Sequence, residues 1–470
     1  MSLTIQPSVK NVFQKTTIVL ALTALLNGCV TGDLSRVEDA KQATIASLPD
    51  IPKQWAALEV KVGDVEMGWL EKLQDPILDA LVSEAQSNNK NLQALAASVD
   101  GARALSKQAA SALSPLVAGS VGNTGSGMVD SSGSNSFSAG LDVSWEADLW
   151  GRLGSGNLAA IENTIAAEAE YKYAQYSLAA GVTKAYLVAK EANIQLDIAQ
   201  KNVDTVTETN RIVKVQFDNG LAGQQEVSLA KADLASAQDS LISSKAGLRD
   251  ATRSLELLLG RYPSAELAVE NVLPALPDVL PAGIPSEILE RRPDLIAAER
   301  QVAAAFNQVD AAQAAKLPRL SLSSSIGGSS SSLSDVLNPA NLAWQAVANI
   351  AAPLFDGGYL DAVAEEATAN QKAAVASYAQ TALNAFAEVE QALDQGSVLR
   401  DRKQALTTVL SESETALKIA NLQYDEGEIS LLDVLTIQQA VFAARSNLLS
   451  IERSSLTQFV DLHLALGGSW

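Results

Sequence analysis

Fourteen prolines are spread unevenly along the 470 residues: none falls between Pro115 and Pro263, and none follows Pro353. Proline removes a backbone donor and clashes with the preceding turn, so these two intervals are free to hold unusually long helices. Residues 152–217 and 358–424 read as such helices, each reaching roughly 100 Å at ~1.5 Å per residue. By contrast Pro263, Pro274, Pro277, Pro281, Pro285 and Pro293 crowd one stretch, which reads as an extended crossover.

The two sides of that crossover repeat each other. Gln216-Phe217-Asp218-Asn219-Gly220 recurs as Gln423-Tyr424-Asp425-Glu426-Gly427, and Leu257-Leu258-Leu259-Gly260 recurs as Leu464-Ala465-Leu466-Gly467 at the same spacing. Nearer the start, Asn91-Leu92 matches Asp294-Leu295 and Pro115 matches Pro318, both pairs at a spacing four residues shorter. A constant register between distant segments marks an internal duplication. The first repeat is assigned to 75–262 and the second to 263–470. Each reads as an Ala-rich helix (75–113, 286–316), a β-hairpin (116–149, 320–354), the long helix, and a closing helix (225–259, 431–466). In the first repeat the two shorter helices sum to about the length of the long one, so they are expected to stack end to end beside it. The fold class is mainly α, with a small β portion.

The strands carry their own pattern. In 137–149, Phe137, Ala139, Leu141, Val143, Trp145, Ala147 and Leu149 alternate with Ser138, Gly140, Asp142, Ser144, Glu146 and Asp148. A period of two over that length is a strand with one apolar face. Trp344, Ala346, Ala348, Ile350, Ala352 and Leu354 repeat it, with Leu320, Leu322 and Ile326, and more weakly Val117 and Val121, as partners. The Ser/Gly-rich segments 122–136 and 327–341 suit long exposed loops. Trp145, Trp150, Trp344, Phe355 and Tyr359 are expected to cluster at the strand ends next to the long helices. They read as a membrane-interface belt or, alternatively, an aromatic core cluster. Strands of this length cross an outer membrane only inside a closed barrel of at least eight. Four strands per chain therefore require oligomerisation, and three copies give twelve.

At the N-terminus Lys10 and Lys15 precede an uncharged run, 16–26, that closes on Asn27-Gly28-Cys29. The run is too short to span a bilayer but fits a signal-peptide core. Residues 1–28 are read as that peptide and 29–74 as an N-terminal periplasmic segment. Gly28-Cys29 resembles the lipoprotein box, which implies N-acyl and S-diacylglycerol chains on Cys29; an ordinary secretory signal is the alternative. Val30 after the cysteine implies outer-membrane sorting. Several acyl chains anchor firmly, at roughly 0.8 kcal/mol per buried CH₂.

Composition excludes much else. Hydrophobic residues make up 47% of the chain and aromatics only 5%, which suits close-packed helices. The formal charge of −20, or −22 once Lys10 and Lys15 are removed, provides no basic footprint for nucleic acid. One cysteine and one histidine exclude a disulfide framework, a Cys/His zinc site and a Cys–His catalytic pair. His463 stands where the other repeat has Glu256, and is read as a helix-surface residue. Met1, Met67 and Met128 form no soft-metal stripe. No metal, no other cofactor and no enzymatic constellation is expected, and a phosphate loop is lacking.

Taken together, Trp69 with Asp75-Pro76, Arg291-Arg292-Pro293-Asp294-Leu295 with Glu299, and the joints Gly151-Arg152 and Gly357-Gly358 resemble the TolC-like outer-membrane factors. The likeness is to their lipoprotein branch and covers nearly the whole chain after residue 65. That resemblance implies a homotrimer with a twelve-stranded barrel in the outer membrane above a periplasmic helical tunnel. It also implies a periplasmic adaptor and an inner-membrane transporter of the resistance-nodulation-division class. The chain would be a passive exit duct for small molecules. Two alternatives stay open: the duct of a protein secretion system, and a non-conducting structural lipoprotein.

The family closes its periplasmic end at the helix turns, here Asp218 and Gly220 in the first repeat and Asp425 and Gly427 in the second. These turns are also where an adaptor would touch. By resemblance Tyr424 and Asp433 match the constriction-lining tyrosine and aspartate, and Glu226 the acidic residue of the first repeat. In a trimer these carboxylates would form a cation-favouring ring and raise one another's pKa. Ser430-Leu431-Leu432-Asp433 equally fits a capping box, which would make Asp433 structural. Ile429 and Thr436 replace an arginine and an aspartate of some relatives.

Overall fold

The computed structural model describes residues 35–57, 68–127, 129, 133–277 and 282–468. Cys29, the signal segment and all three methionines lie outside the described residues. In chain order the elements are α1 (Ser35–Ala46), α2 (Trp69–Lys72), α3 (Pro76–Asn88), α4 (Lys90–Ser111), β1 (Leu116–Ser126) and β2 (Ser134–Ala147). The long α5 (Arg152–Asp218) and α6 (Gln224–Leu258) follow. After the crossover come α7 (Ile288–Arg291), α8 (Pro293–Ala314), β3 (Arg319–Ser330), β4 (Leu342–Ala351), the long α9 (Tyr359–Asp425) and α10 (Leu431–Ala465). The chain divides into two compact units. One holds 99–167 and 297–379 with α1; the other holds 48–98, 168–296 and 380–470.

In the first unit the four strands form one antiparallel meander in the order β1-β2-β3-β4. Residues directly opposite one another share a face, so the register sorts the side chains. Gly119, Leu141, Ile326 and Trp344 form one row, and Val117, Val143, Ser324 and Ala346 the next but one. Between them, on the other face, runs Ala118, Asp142, Ser325 and Gln345. One face is thus mainly apolar and the other polar across the sheet. Each of the outer strands, β1 and β4, keeps an unpaired edge within the chain.

The strands end slightly earlier than their alternation predicts, leaving Leu149 and Leu354 beyond them. The reason is local: aspartates at the joints turn to cap the long helices. Asp148 accepts from the Leu153 and Gly154 N–H groups at 3.1 and 2.6 Å. Asp356 accepts from Gly358 and Leu360, both at 2.9 Å. An aspartate in this position satisfies donors that the first helical turn leaves free.

The second unit is helical. Its largest core gathers Trp69, Leu78, Tyr186, Leu187, Leu255 and Leu259. A second surrounds Trp55, Ile288, Leu295 and Leu466, and a third joins Val213, Val227, Leu431 and Leu435 near the helix turns. A buried ion pair, Lys190 Nζ to Asp75 Oδ2 at 2.7 Å, secures the start of α3, whose first N–H groups Asp75 also caps.

The structure corrects the two Ala-rich helices. The expected helix 75–113 is broken at Asn89 (φ −61°, ψ 125°), and 286–316 is broken at Arg292 (φ −75°, ψ 122°). The breaks sit at matching positions of the two repeats and have matching causes. Asn89 Nδ2 donates to the Leu258 carbonyl at 2.9 Å, and Arg292 Nη1 donates to the Ala465 carbonyl at 3.0 Å. Leu258 and Ala465 are themselves repeat counterparts. Each break thus meets the C-terminal end of its repeat's closing helix, and a donor from the break satisfies a carbonyl that the helix itself leaves free. Asn89 also caps α4 through Leu92 N–H, at 3.1 Å. In the second repeat the donor is a buried cation, held by Asp294 at 2.8 Å and Glu388 at 2.7 Å. Burial opposes that charge, but the two carboxylates outweigh it and push the Arg292 pKa further up.

His463 is likewise corrected: it is fully buried, with the Phe459 ring 4.8 Å away edge-on and Trp69 6.2 Å away. Its counterpart Glu256 is also buried. The Glu256 carboxylate accepts from Ala265, Glu266 and Leu267 N–H at 2.7, 2.9 and 3.1 Å, and so fixes the start of the crossover. The repeat-to-repeat exchange of His for Glu places no imidazole-specific site here, yet each residue fills a different buried niche.

Candidate functional site

The long helices end in turns of the same construction. In the first, Gly220 adopts φ +72°, with Gly220 N–H donating to Phe217 and Leu221 N–H to Gln216, at 2.9 and 2.8 Å. In the second, Gly427 adopts φ +76°, with Gly427 N–H donating to Tyr424 and Glu428 N–H to Gln423, at 3.0 and 2.8 Å. This paired pattern closes a helix, and its left-handed residue is readily adopted only by glycine. Asp218, Gly220, Asp425 and Gly427 are all exposed at these turns.

The following helices start on caps, one-way in the first repeat and reciprocal in the second. Glu226 reaches back to the Gly223 N–H at 2.7 Å. Asp433 accepts from both the Ser430 N–H (3.0 Å) and the Ser430 hydroxyl (2.6 Å), and the Ser430 hydroxyl oxygen faces the Asp433 N–H at 3.4 Å. The Ser430 bonds hold the Asp433 carboxyl below its usual range, opposite to the rise expected from a ring of like charges. That expectation concerns several chains; within one chain the cap prevails. Thr436 turns its hydroxyl onto the Leu432 carbonyl of its own helix at 2.8 Å.

Tyr424 lies among the side chains of the third core, next to Leu431 and Leu435. Its hydroxyl donates to Gln216 Oε1 at 2.8 Å. Burial, together with the Glu226 carboxylate, raises its pKa despite the Gln216 bond. The fold therefore gathers Tyr424, Glu226 and Gln216 in one place, with Asp433 on the first turn of the adjoining α10. Gln216 was not singled out from sequence, although it opens the repeated pentapeptide. Its partner lies in the other repeat, and no local pattern names it.

The aromatic residues are distributed differently from the expected cluster. Trp145 is half-buried, with Nε1 donating to the Leu113 carbonyl at 3.0 Å, and Trp150 Nε1 donates to the Pro318 carbonyl at 2.7 Å. Trp150, Phe355 and Tyr359 are exposed at the helix joints. Trp344 is exposed too, but it stands near the start of β4, roughly 23 Å along the strand from Ala351 at ~3.3 Å per residue. It belongs to the loop end of the sheet because β4 runs from the loop towards the helix. Among the described residues, no helix is long and apolar enough to cross a membrane, and no cluster of three or more metal-ligating side chains occurs.

Long helices in two matching repeats, joined to an amphipathic meander with free edges, are the parts of an outer-membrane channel subunit. The chain belongs to the outer membrane efflux protein family, whose model matches it twice, over residues 81–261 and 284–468. It is 31% identical to the cation efflux system protein CusC of Escherichia coli, over 86% of this chain and 88% of that protein. It is 30% identical to the pyoverdine export outer membrane protein OpmQ of Pseudomonas aeruginosa, over 89% and 91%. A crystal structure of CusC superposes with a TM-score of 0.82 at 28% identity, covering 90% of this chain and 98% of that one. The structure of the outer-membrane channel OprN gives 0.82 at 30%, covering 90% and 99%. The protein is accordingly an outer-membrane efflux channel subunit, the exit duct of an efflux system.

Proposed function

We propose that three copies of this chain close their sheets edge to edge, β4 of one against β1 of the next, into a twelve-stranded barrel. The observation that carries this reading is the four-stranded meander with two free edges and opposite faces of opposite polarity. Free edges are intolerable in lipid, so the sheet needs a partner, and another copy of the same sheet supplies one. Asp142 and Gln345, in the polar row, then line a water-filled lumen, while Leu141, Ile326 and Trp344 face hydrocarbon.

The long helices form the wall of a periplasmic tunnel. Its entrance is the site of the glycine turns, where Tyr424, Glu226 and Asp433 narrow and gate the path. Asp218, Gly220, Asp425 and Gly427 present the turns to a periplasmic adaptor, which connects the duct to an inner-membrane transporter of the resistance-nodulation-division class. Acylation of Cys29 tethers the mature N-terminus to the outer membrane. Trp145, Trp150, Trp344 and Phe355 are assigned to the membrane interfaces. Relatives named for cation, toluene and pyoverdine export match this chain over most of its length, so we infer that one kind of duct serves small molecules and the pump selects them.

Reconstitution into planar bilayers tests the reading. Ion conductance from a species with the mass of a trimer is expected. A monomeric species without conductance would overturn it.

A further inference from the structure

The Ser/Gly-rich stretch 327–341 reads from sequence as a long exposed loop, but β3 runs on to Ser330, which leaves 331–341 as the β3–β4 connection. The structure folds it back onto the sheet. Val336 is only 2% exposed, and its carbonyl lies so close over Gly328 that a Cβ there would come within 1.9 Å of the oxygen. Gly328 stands opposite Ala139 and Leu342, in the apolar set of rows, so the loop covers the apolar face and not the polar one. Beside it, Val121, Leu141, Ile326, Leu342 and Leu337 line a notch of about 340 Å³.

The same fold-back turns two leucines outward. Leu333 is 64% exposed and Leu337 72%. Several of the loop's backbone groups pair within the loop: Asn338 N–H donates to the Asp335 carbonyl at 3.1 Å, Asn341 N–H to the Asn338 carbonyl at 2.8 Å, and Asn341 Nδ2 to the Asp335 carbonyl at 2.8 Å. A loop that satisfies its own backbone can leave water at low cost, whereas an open one cannot. It also lies at the Trp344 end of β4, where an interface aromatic is expected.

From this juxtaposition we infer that loop 331–341 is an outer-leaflet anchor. Leu333 and Leu337 enter the acyl chains, the notch beside Leu337 accepts part of one chain, and Asp335 and Asn338 remain at headgroup depth. The inference rests on the lipid-facing assignment of the apolar sheet face, with which the loop is continuous.

The test uses nitroxide labels on full-length protein with Leu333→Cys, Leu337→Cys, Ile350→Cys or Asn349→Cys, in phosphatidylethanolamine/phosphatidylglycerol vesicles. The unsubstituted chain, whose one cysteine is Cys29, supplies the labelling blank. Collision with oxygen reports hydrocarbon, and collision with a water-soluble nickel chelate reports water. Positions 333 and 337 are expected to favour oxygen at least as strongly as 2-fold over Asn349→Cys on the polar face, as Ile350→Cys does. Nickel access at 333 and 337 with oxygen access at 350 overturns the anchor alone. Nickel access at 350 as well overturns the lipid-facing reading beneath it. Shielding of 333 and 337 from both reagents would show a neighbouring copy covering the loop, and also overturns the anchor.

Discussion

The Tyr424 hydroxyl donates to Gln216 Oε1 at 2.8 Å, joining the end of one long helix to the end of the other. The repeat counterpart of Tyr424 is Phe217, which has no hydroxyl to offer Gln423. The link between the two turns is therefore one-sided, and a single substitution removes it. A neutral hydrogen bond contributes about 0.5–1.5 kcal/mol, so Tyr424→Phe should shift a closed-to-open equilibrium roughly 2- to 10-fold towards open. Single-channel recordings check this. Adding Gln216→Leu to Tyr424→Phe should change little more, because the bond is already gone.

Asp433 offers a separation of capping from conduction. Asp433→Asn keeps an acceptor for Ser430 and is expected to leave amide-exchange protection over 431–434 intact while reducing cation preference. Asp433→Ala is expected to lose both. Because the folded carboxyl is held below its ordinary 3.8, the cap is present above that value and is lost only as pH falls through the lowered folded pKa. Exchange protection at the start of α10 should accordingly be flat from neutral pH down to about pH 4.

The two sheet faces should respond oppositely to the same charge. Leu141→Arg places a cation on the apolar face and should cost ~2–4 kcal/mol near mid-membrane, reducing assembled protein in outer-membrane fractions. Ser325→Arg, one register row away on the polar face, should assemble normally and shift ion selectivity towards anions. Equal assembly of both variants would contradict the assigned faces.

Arg292 and Asn89 do the same geometric task with different energetic stakes. Arg292→Met leaves the partly exposed Asp294 and Glu388 carboxylates without their cation and the Ala465 carbonyl without its donor, so several interactions are lost together. Asn89→Ala removes a cap, at about 0.5–2 kcal/mol. Thermal melts of detergent-solubilised protein should rank Arg292→Met well below Asn89→Ala.

The Lys190–Asp75 pair sets a broad pH plateau. For Asp75, burial opposes ionisation, but Lys190 and the Leu78 N–H outweigh it, so its pKa falls below 3.8. For Lys190, burial again opposes the charge, but Asp75 outweighs it and the pKa rises above 10.5. The lowered acid loses its contribution only on falling through its folded pKa, and the raised base only on rising through its own. Melting temperature should therefore show no loss from this pair between about pH 4 and pH 10. Lys190→Met should lower it throughout that range.

Much of the fold was legible because its signals are local. Proline-free intervals located α5 and α9 to within about one residue, and strict alternation located β2. The Gly220 and Gly427 turns, and the Ser430–Asp433 cap, followed from residue chemistry within a few positions. The helix breaks were not legible: Asn89 and Arg292 sit in Ala-rich sequence with helical spacing, and Pro293 marks only the second. Their donors are drawn out of the helix by carbonyls at Leu258 and Ala465. His463 was misjudged for the same reason, since burial depends on what packs against a helix and not on its own sequence.

By itself the sequence determined the repeat, the long helices, the amphipathic strands and the family they resemble, because periodicity and turn chemistry act over a few residues. Only the tertiary structure decided which partners meet across the chain: Tyr424 with Gln216, Arg292 with Ala465, and the 331–341 loop with the apolar side of its own sheet. Those contacts join groups that no local pattern pairs. Their geometry follows from how whole helices and strands pack, and that packing sets which polar group must be satisfied and by whom.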